Sequence, residues 1–292
     1  MAARPLHRAG PRARPALARP GRRQLSSELV RRPAAEALRP HVHGYWGYVD
    51  EPGVPTRQRE ALGTHVVLIF GLGSELRVDG VTLSTFVGGV GDACPVIEHD
   101  GAMRGIQVDV TPLAARMLLG VPMHELARRS LPLGEVLGAA AGELDARLDE
   151  SCDWEERFAV VESWLARSLA AAPEPPPDVA WAWNRLRATD GRARVEELAA
   201  TLGCSRKHLA ARFRDHVGLP PKLVARTMRF RRAAELVAGG RPLDEVAAAC
   251  GYYDHSHLDR DFRDFAATTP SAYRDDPRAQ VTFFQDGERR AA

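Results

Sequence analysis

The stretch ACGYYDHSHLDRDFRDFAATTPSAYR, residues 249–274, gathers an unusual amount of hydrogen-bonding chemistry into one short segment. A helix restarting after Gly251 puts Leu258, Phe262 and Phe265 on one apolar stripe. It leaves His255, Ser256, Asp259, Arg260 and Arg263 on the other face. Such groups meet base edges and phosphates in a DNA major groove, where arginine pairs with guanine through two hydrogen bonds. A second set stands at Ser205, Arg206, Lys207, Ala210, Ala211 and Arg214, around the apolar pair Leu209 and Phe213. Here the handles are Arg206 and Lys207, while the two alanines offer methyl contact to thymine.

Metal and thiol chemistry compete with that reading. His41 and His43 form an HxH pair, but Gly44, Tyr45, Trp46 and Gly47 follow where a cupin-like metal site would place a carboxylate. His255 and His257 are two apart, and on a helix they face different ways. Cys94, Cys152, Cys204 and Cys250 are scattered without CxxC or metal-ligand spacing, which suits a reduced, cytoplasmic protein. Cys94 lacks a neighbouring base to activate it, and Cys204 and Cys250 fall where a helix turn wants a small buried residue. No catalytic, metal or cofactor site is expected. The alternative is a small-molecule-binding or enzymatic, cupin-like protein whose C-terminal part only localises it to DNA.

The elements that must position these groups are repeated. Val195, Leu198, Ala199 and Leu202 lead to Gly203, and Leu243, Val246, Ala247 and Cys250 lead to Gly251. The intervals are identical up to the glycine, and a Leu/Phe pair follows in each copy. Each copy predicts a helix, a glycine turn in the left-handed region, and a second helix capped by Ser205 or Asp254. Two αα-hairpins with merely solvated faces would be the plain alternative. Between the copies, LPPKLVARTMRFRRAAELVAGG predicts a helix of about 18 residues, roughly 27 Å long. Such a rod would carry two reading helices into successive major grooves about 34 Å apart.

Charge follows the same division. Residues 41–172 hold 10 Arg against 19 Asp and Glu, whereas residues 184–276 hold 17 Lys and Arg against 13 acids. A basic half suits nucleic acid. Residues 41–111 read as short strands with glycine turns, among them HVVLIF, SELRVDGVTL with a tight Asp79-Gly80 turn, and MRGIQVDV. From Pro112, with Thr111 as N-cap and Gly120 as stop, the period becomes helical, and Trp154, Phe158, Val161 and Leu165 form one stripe. The expected class is α+β: a small β barrel or sandwich with a helical tail, then an all-α domain with two helix-turn-helix units. The boundaries are a disordered Arg/Pro-rich extension over 1–40, a β-rich domain over 41–172, a Pro-rich spacer over 173–180, the DNA reader over 181–276 and a tail over 277–292. No apolar run approaches the ~18–20 residues of a membrane span.

RVEELAATLGCSRKHLAARFRDHVGLPPKLVARTMRFRRAAELV, followed by PLDEVAAACGYYDHSHLDRDFRDFAATTPSAYR, resembles the DNA-binding domain of AraC/XylS-type transcriptional regulators. The resemblance implies seven helices, with base-reading positions at Lys207, Ala210 and Ala211 and at His255, Ser256 and Arg260. Members often carry long polar side chains where this chain has Ala210 and Ala211. THVVLIFGLGSELRVDG and HDGAMRGIQVDVTPLAARMLLGVPMHEL resemble the β-rich sensor-like domain of some of these regulators. Double-stranded DNA is the partner implied, with a small-molecule effector, RNA polymerase and a second copy of the chain as further partners. The first domain would then sense a ligand or serve as a dimerisation platform.

Overall fold

A computed structural model describes residues 26–51, 55–60 and 63–275; residues 1–25 and the expected tail lie outside them. Nine strands come first: β1 (Ser26–Arg32), β2 (Val42–Glu51), β3 (Thr56–Arg59), β4 (Val66–Gly71), β5 (Leu76–Val78), β6 (Val81–Leu83), β7 (Phe86–Gly88), β8 (Val96–His99) and β9 (Met103–Val110). Then come α1 (Pro112–Leu119), α2 (Met123–Leu126), β10 (Ser130–Pro132), α3 (Leu133–Leu137), α4 (Ala139–Glu150) and α5 (Trp154–Ala171). The remaining helices are α6 (Pro177–Ala188), α7 (Val195–Thr201), α8 (Arg206–Val217), α9 (Pro221–Ala238), α10 (Leu243–Cys250), α11 (His255–Ala266) and α12 (Pro270–Asp275).

The strands make two antiparallel sheets, one ordered β1-β2-β9-β4-β7-β10 and the other β3-β8-β5-β6. Side chains alternate across a strand, and the larger sheet uses both faces. Val66, Leu68 and Phe70 of β4, with Ile106, Val108 and Val110 of β9, face the core shared with the helices. Ile69 and Met103 face the other way, into a cluster with Leu76, Val78 and Ile97 of the smaller sheet. The Asp79-Gly80 turn joins β5 to β6 with both residues at positive φ. Thr111 caps α1, its side chain accepting from the Ala114 amide at 3.1 Å, and Gly120 ends that helix in the left-handed conformation. The α5 stripe packs inward as expected, with Phe158, Val161 and Leu165 fully buried.

Two expected boundaries are corrected. The extension predicted to be disordered through residue 40 contains β1, which pairs with β2 from Ser26↔Glu51 to Arg32↔Tyr45. Arg32 bonds Glu162 at 3.1 Å and Glu155 at 3.3 Å on α5, and Ala34 and Leu38 are buried. Arg32, which read as part of a solvated tail, thus finds carboxylates more than 120 positions away. The spacer is also shorter than 173–180, because Pro177 is the first residue of α6. Proline's fixed φ suits that position, where its missing N–H is not needed. Val179, Ala182, Trp183 and Leu186 of α6 then join one continuous core that runs from the larger sheet to α8 and α9. The two halves are packed together rather than held by an extended tether. Among the described residues no helix is long and apolar enough to cross a membrane.

Candidate nucleic-acid interface

Both predicted turns form. Gly203 and Gly251 have φ of 63° and 72°, the left-handed region that an L side chain adopts at a penalty. The next helix starts three residues after Gly203 and four after Gly251. Ser205 accepts from the His208 amide at 3.1 Å, and Asp254 accepts from the His257 amide at 2.8 Å. These caps satisfy amides that the first turn of a helix leaves unpaired. Ser205 is therefore engaged in holding α8.

In the first unit Leu209, Phe213 and Val217 are buried, and Arg206, Lys207, Ala211 and Arg214 are exposed. Ala210 is half-buried, which leaves it little reach. Arg206 bonds Glu196 of α7 at 3.0 Å, an exposed pair worth little in water and readily exchanged for phosphate. In the second unit Leu258, Phe262 and Phe265 are buried, while His255, Ser256, Arg260 and Arg263 are exposed. Asp259 is half-buried and 3.5 Å from Arg263, one turn along the helix. His255 stands 3.9 Å from Asp244. Every residue singled out in the sequence thus stands on α8 or α11 or caps it, and each unit presents one polar face.

The 18-residue rod is α9, with Pro221 at its first turn and Gly239 at its end. It carries α10, α11 and α12, with α11 packed across its middle, where Phe230 meets Phe262 and Phe265 at ring distances of 5.1 Å. Three features were not read from the sequence. Asp261, on the apolar side of α11, is completely buried. Tyr253, beside the Asp254 cap, is 94% exposed. The third is a cavity in the first domain.

That cavity, of about 270 Å³, lies between the two sheets. Ile69, Leu76, Phe86 and Ile97 line its apolar part, and His65, Gln107 and Asp109 stand at its polar end. The alternation in MRGIQVDV therefore turns Gln107 and Asp109 toward an interior. Gln107 and Asp109 are 6% and 1% exposed, so they face no bulk water. Gln107 donates to Asp109 at 2.8 Å, and His65 Nε2 lies 3.2 Å from the other Asp109 oxygen. Burial pushes the His65 pKa down, Asp109 pulls it part of the way back, and Arg231 lowers it further. Arg231 comes from α9, so the rod forms part of the cavity wall. The loop carrying Asp92 and Cys94 forms another part. Arg128 holds the Asp92 carboxyl below its usual range through paired hydrogen bonds, with a smaller contribution from Arg226 on α9.

The HxH residues do not converge on a metal. His43 sits at a register shift in β2, with its ring edge-on to His65 at 5.9 Å, while the His41 carbonyl accepts from the Thr111 amide. Among the described residues no group of three or more His, Cys, Asp or Glu is placed to hold an ion. Cys94 and Cys250 are buried, and burial pushes the Cys250 thiol up.

Residues 198–276 match the helix-turn-helix domain family. No curated protein matches the chain. Among solved structures, it is similar to an apo point variant of ToxT from Vibrio cholerae strain SCE256, with 11% identity over 82% of this chain and 98% of that one and a TM-score of 0.43. It is also similar to fatty-acid-bound wild-type ToxT from the same strain, with 10% identity over 76% and 93% and a TM-score of 0.42. A third is the C-terminal domain of the response regulator AraT from Geobacillus stearothermophilus, with 21% identity over 38% and 93% and a TM-score of 0.33.

Proposed function

We propose that this chain, a DNA-binding transcription regulator with an AraC-type helix-turn-helix domain, reads two adjacent major-groove segments of one duplex with α8 and α11. One observation carries the reading: two helices with matching turns and side-chain caps each present an exposed polar face, and both pack on one 18-residue helix, α9. Arg206, Lys207 and Arg214 serve the first segment; His255, Ser256, Arg260 and Arg263 serve the second. Phosphate contacts position such a protein, and base contacts specify its site. We assign the reader to residues 181–276.

Fluorescence anisotropy on DNA from the protein's own upstream region, against a scrambled duplex at two salt concentrations, tests this. Tighter binding to the native duplex that persists at higher salt supports it. Equal, steeply salt-dependent binding to both duplexes, as expected of phosphate contacts alone, overturns it.

The cavity favours a second element of the reading, in which residues 41–172 sense a small molecule. An apolar chamber closed by a few converging polar groups is the usual form of a ligand site. Its occupant would be a small, mostly apolar molecule with one polar end directed at His65, Gln107 and Asp109. A rise in melting temperature with such a compound, absent in a variant with the cavity filled, is the expected result. A second copy of the chain and RNA polymerase complete the set of partners for a regulator of this kind. Sedimentation of the protein with and without DNA would show whether the copy takes part.

A further inference from the structure

Arg226 projects from α9 and meets three groups of one helix. Its Nε donates to Asp261 Oδ1 at 2.7 Å, and Nη2 reaches the same oxygen at 2.6 Å. Nη2 also bonds Asp264, and the guanidinium lies over the Phe265 ring at 4.8 Å. Asp261, Asp264 and Phe265 are spaced i, i+3 and i+4, so they form one patch on α11. At about 100° per residue, the centre of that patch lies roughly 130° around the helix axis from that of Ser256, Arg260 and Arg263.

Stability alone does not explain charge at this place. Asp261 is fully buried, and a buried ion pair is often no more stabilising than well-packed apolar side chains of the same volume. A pair of this kind can instead fix a register. Apolar packing by Leu258, Phe262 and Phe265 would tolerate a small rotation of α11 on α9. A planar guanidinium held by two carboxylates and a ring does not, because its donors have fixed directions.

We propose that Arg226 is a positioning residue for DNA reading: by gripping Asp261 and Asp264 it fixes the rotation of α11, and with it which side chains face the bases. The proposal rests on the reading of α11 as a groove-entering helix. Arg226 itself touches no DNA in this arrangement.

The test uses the full chain with Arg226→Met, Arg226→Lys and Asp261→Asn. Anisotropy is measured on the native and the scrambled duplex at two salt concentrations, with the melting temperature recorded beside it. Loss of the grip is expected to reduce the native-to-scrambled affinity ratio by about tenfold, the worth of one misplaced base contact. Affinity for the scrambled duplex and its salt slope should stay at the wild-type values. Arg226→Lys keeps the charge but not the fork, so a folded Lys variant that also loses discrimination excludes mere loss of fold or charge. An unchanged ratio in folded variants overturns the proposal. So does an equal loss on both duplexes with a shallower salt slope, which would make Arg226 a phosphate contact. A wild-type protein that does not discriminate between the duplexes overturns the groove reading itself, and the proposal with it.

Discussion

Arg260 and Arg263 stand one turn-face apart on α11 and differ in their freedom. Asp259 engages Arg263 at 3.5 Å, whereas Arg260 is exposed at a position where the helix would meet base edges. Replacing Arg260 by alanine should weaken binding by about 1–3 kcal/mol and relax preference at a single base pair, if the guanidinium pairs with a guanine. Anisotropy on duplexes altered one base pair at a time reads both effects. His65 gives a pH prediction at the same scale. Its folded pKa is depressed below the ordinary 6.5 by burial, so the unfolded chain takes up a proton first as pH falls. Stability present above pH 6.5 is therefore lost progressively below it. The melting temperature should drop between about pH 7 and about pH 5, and His65→Asn should reduce that drop without abolishing it, because burial also holds His43 down, to about 4. An equal drop in the variant would place the titration elsewhere.

At the scale of elements, the turns were legible because a glycine must supply the left-handed residue that joins two crossing helices. Gly251 has that conformation, and a Cβ there would meet the Arg192 side chain at 3.4 Å. Gly251→Val should cost about 1–3 kcal/mol in stability from backbone strain. It should also abolish preference for the native duplex, as seen by denaturant unfolding and anisotropy together. A variant that binds the native duplex normally would refute the turn. The caps Ser205 and Asp254 were equally legible, since a side-chain oxygen just before a helix has one obvious use. Buried polar groups were not. Asp261 lies among His, Asp and Arg residues that face water, and its burial depends on Arg226, 35 positions earlier. Gln107 and Asp109 alternate with valine and isoleucine as a solvated strand face would, yet the second sheet closes over them. Pro175, Pro176 and Pro177 read as a spacer because proline breaks helices, but it also starts them, and only the Trp183 and Leu186 contacts decide between the two. Arg32 of β1 deceived in the same way, its partners being on α5.

At the scale of the molecule, the two reading helices differ from a pair of tethered modules, because α9 packs on both units and the core of the first domain continues into α8. Gly218, at the end of α8, lies so close to the first domain that a Cβ would approach Val90 to 2.8 Å and the Met123 carbonyl to 3.0 Å. Linked sites gain affinity only if the linker's geometry lets both engage at once. With a rod of 18 residues, about 27 Å long, simultaneous engagement requires half-sites about one helical turn apart on the same face. Inserting about 5 base pairs between the half-sites puts the second on the opposite face. Affinity should then fall to that of a single unit. Inserting about 10 restores the face but adds about 34 Å to the separation, more than the rod can bridge. The rigid arrangement therefore predicts weak binding at both insertions, whereas a flexible connection would recover at the longer one. Anisotropy on the three duplexes decides between them, and recovery at about 10 base pairs would show that the two units move apart in solution.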